Sequence, residues 1–481
     1  MYQRIDNLIC NKVFKYFKDI SNVPRESGNE KKISDYLFNF AKERNLEVIQ
    51  DESLNVIIRK PATKGYENAP VVIIQGHMDM VCEKVKDSDH DFEKDPLKLR
   101  IDGDYLYATG TTLGGDDGIA VAYGLAILDS KDIAHPSIEF VATTSEETGM
   151  YGAMGLDTSK LNGKILLNVD SEEEGIFLVS CSGGVNPIVY IPKEHEKATG
   201  QFVQIEIKGL NGGHSGMEII KQRANANKLM GRVLYDLKNE VDFNLVEING
   251  GSKHNAIALH ANSVLTIDEN KFNEVKEVCN KLEKAFQNEF RVQDPNIKII
   301  VEKVDSREKQ LTKKVTDNII NFLVLVPYGV QTMSKDIDGL VESSLNIGIV
   351  ENKKEEIKIT IAVRSSVSSL KLEVVNRIEA LCSLIGGKCV RENEYPAWQF
   401  DPESKIKDLC VDIYTKLYEK PEVSAIHAGL ECGLFKGTMK DTDMISFGPN
   451  LYDVHTPNEH LSISSVGRIW KFLVELLKNI K

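Results

Sequence analysis

Three short apolar runs in this chain each stop at a side chain able to bind a metal ion. Val71–Ile74 leads into Gly76-His77-Met78-Asp79, Ile138–Thr144 into Ser145-Glu146-Glu147, and Ile165–Val169 into Asp170. Short runs of this kind read as buried strands. Helix-like segments lie between them, notably Gly118–Leu128. Such alternation implies an α/β layer with a largely parallel sheet. Ligands of open α/β sheets collect at the carboxyl ends of strands. If the three runs are parallel neighbours, His77, Glu147 and Asp170 converge on one crevice. The Gly-rich turn Leu113–Gly118 adds Asp116 and Asp117 ahead of a helix, and His455 follows a strand near Phe447, in the loop Gly448–Pro457.

Two histidines and three carboxylates suit a pair of divalent ions such as zinc, with one carboxylate bridging. Taken singly, each residue has a plainer reading. His77 could be a structural strand-end histidine, and Glu146-Glu147 a solvated helix start favoured by the dipole. Asp116-Asp117 could be helix caps, and Asp170 opens an acidic run through Glu174 that would ordinarily be surface. Their shared position, directly after an apolar run, favours the metal reading.

Charge narrows the function classes. With 59 basic and 72 acidic residues the net charge is −13, which disfavours phosphate-backbone binding and a polybasic membrane patch. The start, MYQRIDNLICNKVFKYF, lacks the apolar core of a signal peptide. The longest uncharged stretches, Gly175–Pro192 and Asn318–Ser334, contain polar residues and a proline, unlike a membrane span. Eight cysteines with no CxxC pair read as reduced thiols of a cytoplasmic protein. No nucleic-acid or membrane partner is expected.

At 481 residues the chain exceeds one compact core. Ile5, Ile9, Val13 and Phe17 have helical spacing. Ser27 followed by Glu30 reads as a capping box opening a helix through Ile33, Tyr36, Leu37 and Phe40. From about Val185 the texture changes: strands at Phe202–Ile207 and Ile357–Val363 surround helices at Asn225–Leu237 and Asn273–Phe290. After Glu394–Asp401 the α/β texture resumes, with a helix at Ile406–Tyr418, a strand at Met444–Phe447 and a final helix at Ser465–Leu477. Residues 1–185 and 394–481 are therefore expected to form a discontinuous α/β domain with a mixed, largely parallel central sheet, and 186–393 an inserted α+β domain.

The segments GHMDMV, LGGDDGIAVA, TSEETGMYGA, NVDSEEEG, GGHSG, HAGLECGLF and HTPNEH, with VPRESGNE near the start, together resemble the M20 peptidases, which hold two zinc ions. Within that family the likeness is to the bacterial aminoacyl-histidine (cytosol non-specific, Xaa-His) dipeptidases. The resemblance implies that Asp116 bridges two metal ions, that His77 and Asp170 complete one site, and that Glu147 and His455 complete the other. It makes Glu146 the general base and Asp79 the carboxylate that orients His77, and it implies a cis peptide between Asp116 and Asp117. His214 would reach the scissile carbonyl from the inserted lid domain. Arg364, Asn255 and Gly429 would hold the substrate; His427 is read as loop support. His90, His135, His195 and His460 match no motif and are read as surface.

The implied activity is hydrolysis of unblocked dipeptides, Xaa-His and β-Ala-His among them, with zinc, manganese or cobalt as cofactor and a homodimer as the candidate assembly. A dizinc amidohydrolase acting on N-acyl amino acids or tripeptides is the alternative, and a non-catalytic binding protein on the same fold a second. The chain departs from the family pattern at Ile220, Gln222, Ala258-Leu259-His260 and Asp117, which bears on substrate preference and removes no ligand.

Overall fold

A computed structural model describes residues 10–481. Ile5 and Ile9 lie outside the described residues. The helix they were read into runs Asn11–Ser21 and buries Val13, Phe14, Phe17 and Ile20. The chain divides into two compact units: residues 1–180, 400–425 and 430–481 form the first, and 181–399 with 426–429 the second. These bounds differ by several residues from the expected ones. Residues 426–429 also belong with the second unit, because main-chain Ser182 N–H donates to the carbonyls of Ile426 and Ala428 and His427 bonds Ser344.

In the first unit an eight-stranded sheet has the order Glu47–Gln50, Val56–Lys60, Ile138–Thr143, Val72–His77, Ile165–Asn168, Asp443–Ser446, Ile176–Cys181, Glu422–Ile426. The four strands from Ile138–Thr143 to Asp443–Ser446 pair in parallel, and the pairs on either side of them are antiparallel. At the far edge Glu422–Ile426 runs parallel to Ile176–Cys181, with the Glu422 N–H donating to the Gly175 carbonyl and the Ser182 N–H to that of Ile426. The sheet is thus mixed and largely parallel, as expected. Val72–His77 and Ile138–Thr143 are buried at every position, as strands covered on both faces must be. Helix Gly115–Leu128 is apolar almost all round and also buried, and its first turn is irregular at Asp116 and Asp117.

The expected capping box does not form. The Ser27 hydroxyl donates to Asp79 Oδ2, and Glu30 sits at the N-cap of helix Lys31–Glu43 without a side-chain cap bond. His90 and His135 are buried, not at the surface as expected. Each has a buried Nε2 without a partner.

The second unit is built on an antiparallel sheet containing Gln201–Lys208, Phe243–Gly250, Ala261–Ile267, Val341–Asn352, Glu356–Ser365 and Gly183–Pro192. Helices Ala226–Leu237, Phe272–Glu289, Lys313–Leu325 and Ser368–Leu384 bury Leu234, Phe286, Phe322 and Ile378 in one core with Ile205, Leu265 and Ile361 of the strands. Each such side chain contributes roughly 1.5–3 kcal/mol. Among the described residues, no helix is long and apolar enough to cross a membrane.

Candidate metal centre

The expected ligands follow the carboxyl ends of the four central strands. His77 closes Val72–His77, Glu147 lies in the turn after Ile138–Thr143, Asp170 two residues beyond Ile165–Asn168, and His455 in the turn after Leu451–Tyr452, the short strand that follows Asp443–Ser446. Asp116 enters from the Gly-rich turn. The parallel register makes these strand ends adjacent.

Donor atoms of His77, Asp116 and Asp170 lie within 4.8 Å of one another, as do those of Asp116, Glu147 and His455. Asp116 belongs to both groups and offers one oxygen to each. Its Oδ1 lies 3.1 Å from His77 Nε2, and its Oδ2 3.2 Å from His455 Nε2. Asp170 Oδ1 is 3.6 Å from His77 Nε2, and Glu147 Oε1 is 2.9 Å from His455 Nε2. The peptide joining Asp116 to Asp117 is cis.

Electrostatics show what the crevice is built to hold. Burial pushes the Asp170 carboxyl up to about 6, with Asp116 and Glu147 adding to the rise and His77 opposing it. Burial also raises Glu146 well above the usual range, and lifts Glu172 to about 7. The imidazoles respond in kind: bonds to Asp116 and Glu147 push His455 up to about 10. Burial works against a charged His77, yet Asp116, Asp170 and Asp79 raise it well above its ordinary value. The carboxylates therefore draw positive charge onto both histidines. Nitrogen and oxygen donors with a shared carboxylate fit two divalent cations of the zinc, manganese or cobalt kind.

Asp79 is fully buried behind His77. Its Oδ1 is 3.4 Å from His77 Nδ1, and it accepts from Ser27 Oγ (2.7 Å) and from the backbone N–H of Glu146 and Glu147. One carboxylate thus orients the ring of one candidate ligand and the backbone beneath another. Gly76 has no room for a side chain: a Cβ there would meet the Asp117 carboxylate and Ala120. Asp117 uses that space to accept the His77 N–H (3.2 Å).

Several supporting residues were not singled out in the sequence. Glu459, inside HTPNEH, accepts the N–H groups of Leu113 (2.8 Å), Gly114 (3.0 Å), Gly115 (2.7 Å) and Asp116 (3.3 Å), tying the turn that carries Asp116 to the loop that carries His455. Glu431, inside HAGLECGLF, accepts from Thr143 Oγ1 (2.8 Å) and from Gln75, whose amide oxygen accepts from Asn168 Nδ2 (2.7 Å). Gln75, Thr143 and Asn168 sit near the ends of three ligand-bearing strands and are fully buried. A polar residue interrupting each apolar run was the available signal.

In the second unit, His214 Nδ1 accepts the Met217 N–H (3.1 Å), so a neutral ring carries its proton on Nε2. Burial, then Arg364, lowers its pKa. Arg364 Nη1 donates to Tyr395 Oη (2.8 Å), while its buried Nε has no partner. Asn255 lies beside His214, its carbonyl accepting the Ser215 N–H (2.8 Å). Gly429 ends the segment 426–429. His427 is buried against Ser344 Oγ (2.7 Å), in keeping with loop support.

A shared carboxylate between two histidine–carboxylate groups at parallel strand ends is the site of a metal-dependent hydrolase. The model of peptidase family M20/M25/M40 matches residues 73–479. The chain belongs to this family and is a peptidase. It is 38% identical over 467 residues to the cytosol non-specific dipeptidase of Escherichia coli (strain K12), covering 96% of each chain. The crystal structure of aminoacylhistidine dipeptidase from Vibrio alginolyticus superposes with a TM-score of 0.94 and 36% identity, covering 100% of this chain and 98% of that one. Aminopeptidase PepT from Bacillus cereus ATCC 10987 shares the fold at a TM-score of 0.57 and 16% identity, covering 98% of this chain and 99% of that one.

Proposed function

We propose that this protein is a cytoplasmic dipeptidase that hydrolyses unblocked dipeptides, Xaa-His and β-Ala-His among them, with two divalent cations. The observation that carries the reading is Asp116, which offers one oxygen to each of two histidine–carboxylate groups, with Glu146 next to Glu147. The dipeptidases named above, similar over nearly the whole chain, support the substrate class. The free thiols of Cys10, Cys82, Cys279, Cys382, Cys389 and Cys410 agree with a reducing compartment.

His77, Asp116 and Asp170 would hold one ion, and Asp116, Glu147 and His455 the other. When bound, the cations polarise the scissile carbonyl and bring the pKa of the attacking water toward neutrality. Glu146 takes the proton that this water loses as its oxygen bonds to the carbonyl carbon. Glu146 then delivers the proton to the nitrogen as the C–N bond breaks, so the products are an acid and an amine. Asp79 holds His77 in one orientation. His214, whose Nε2 carries the proton in a neutral ring, donates to the carbonyl oxygen where negative charge develops. Arg364 binds the substrate carboxylate through its planar fork, and Asn255 and Gly429 supply further polar contacts.

The test is a panel of free dipeptides, N-acetylated dipeptides and tripeptides, assayed with and without chelator and with zinc, manganese or cobalt restored. Cleavage of free dipeptides that chelator abolishes is the expected result. Activity confined to acylated substrates or tripeptides would select the amidohydrolase alternative, and chelator-insensitive cleavage would refute the metal reading. Glu146→Gln should lower kcat by at least about 10²–10⁴-fold and leave metal stoichiometry at two. Mixing Glu146→Gln subunits with His214→Ala subunits tests the assembly: recovered activity would mean that a homodimer exchanges His214 between active sites.

A further inference from the structure

The segment Arg25–Glu30, part of VPRESGNE, takes no part in the reaction above, yet three of its side chains touch three different ligand-bearing segments. Arg25 is 2% exposed, and among the described residues its guanidinium bonds main-chain carbonyls. Its guanidinium donates to the carbonyls of Met78 (3.2 Å) and Asp79 (3.1 Å), just past His77, and to that of Gly114, two residues before Asp116. Gly114 stands at φ 64°, and a Cβ there would meet Arg25 Nη2 and Met80 Sδ. Ser27 Oγ donates to Asp79 Oδ2. The main chain runs alongside, with Met80 N–H donating to Arg25 O (3.1 Å).

Glu30 reaches the third segment. It is 4% exposed, and one oxygen, Oε1, accepts from Gly28 N (2.8 Å), Ser145 N (3.0 Å) and Ser145 Oγ (2.8 Å). Ser145 has φ 51°, a left-handed conformation that a non-glycine residue adopts when neighbouring groups enforce it. It immediately precedes Glu146 and Glu147. A buried carboxylate holding a strained turn by both its N–H and its hydroxyl sets where the next two side chains point.

We propose that Arg25–Glu30 is the template on which the ligand-bearing turns are laid, with Glu30 the positioning residue that aims Glu146 and Glu147. This rests on the roles given to those two residues above. Glu30 acts through hydrogen-bond acceptance at Oε1. Without that acceptor the Ser145 turn relaxes, and the base and one ligand move together. The ion held by Glu147 and His455 then binds more weakly than its neighbour, and turnover falls at little cost to KM.

Cobalt titration of the metal-depleted protein, followed by the visible absorption of Co(II), separates these effects from simple loss of fold. Wild type should bind two ions. Glu30→Ala should bind the weaker ion about 10–100-fold less tightly with an altered spectrum, and should show reduced kcat at near-constant KM. Glu30→Gln keeps an oxygen at the Oε1 position and should restore affinity, spectrum and kcat to near wild type. If Glu30→Ala does not fold, Ser145→Ala, which removes one of the three bonds, should weaken the same ion to a smaller degree. Wild-type affinity and spectrum in Glu30→Ala or in Ser145→Ala would overturn the template, as would Glu30→Gln being as impaired as Glu30→Ala. Fewer than two cobalt ions bound by wild type would instead overturn the reading of the site itself.

Discussion

Replacing His427 with glutamine should remove a pH-dependent part of the second unit's stability. The His427 ring is 6% exposed, and burial, with Arg364 and His214 nearby, pushes its pKa from 6.5 down to about 3. The folded state therefore resists protonation that the unfolded chain accepts. Because the folded pKa is depressed, the contribution is fully present above pH 6.5 and is lost as pH falls toward 3. Linkage over that interval gives a loss of about 2 kcal/mol by pH 5 and about 3 kcal/mol by pH 4. Glutamine keeps a polar group that can reach Ser344 Oγ and does not titrate. Urea unfolding of wild type and His427→Gln at pH 7.5, 5 and 4 provides the measurement. The wild type should lose the stated amounts over and above the variant's own losses. Equal losses in the two proteins would refute the argument, since they would mean that His427 is protonated as readily folded as unfolded.

Other outcomes follow from particular contacts. Lys228 Nζ donates to the carbonyls of Leu323 (3.0 Å), Val324 (2.6 Å) and Val326 (2.6 Å) at the end of helix Lys313–Leu325; Lys228→Met should cost about 1–3 kcal/mol, read from the urea midpoint at unchanged m. Asp79→Asn replaces an acceptor of two backbone N–H groups with a side chain that also donates, and should weaken cobalt binding about 10–100-fold, measured by titration. Glu459→Gln sets an amide NH₂ against backbone donors, and should lower stability by about 1–3 kcal/mol while weakening the affinity for both ions, since Asp116 belongs to both candidate groups. Removing divalent ions with chelator should abolish dipeptide cleavage and lower Tm, because cations that bind the folded state stabilise it by mass action; an unchanged Tm would count against a preformed site.

The five ligand candidates were legible because their signal is local. An apolar run that stops at His77, Glu147 or Asp170 needs only strand periodicity and the rule about carboxyl ends, and the register of the four parallel strands agrees with it. Ser27 and Glu30 were misread for the opposite reason. Their spacing fits a capping box, but their partners lie 52 and 115 residues away, at Asp79 and Ser145. Gln75 and Glu431, 356 residues apart, show the same limit.

By itself, then, the sequence determined the alternation of strands and helices, the family, and which side chains follow the strand ends. Periodicity and motif order are properties of neighbouring residues. Tertiary structure decided which strands pair in parallel and which antiparallel, that residues 426–429 join the second unit, and that Arg25, Glu30, Glu431 and Glu459 support the crevice. A buried polar group must find its partner wherever the fold brings one. No local pattern records which distant backbone that will be.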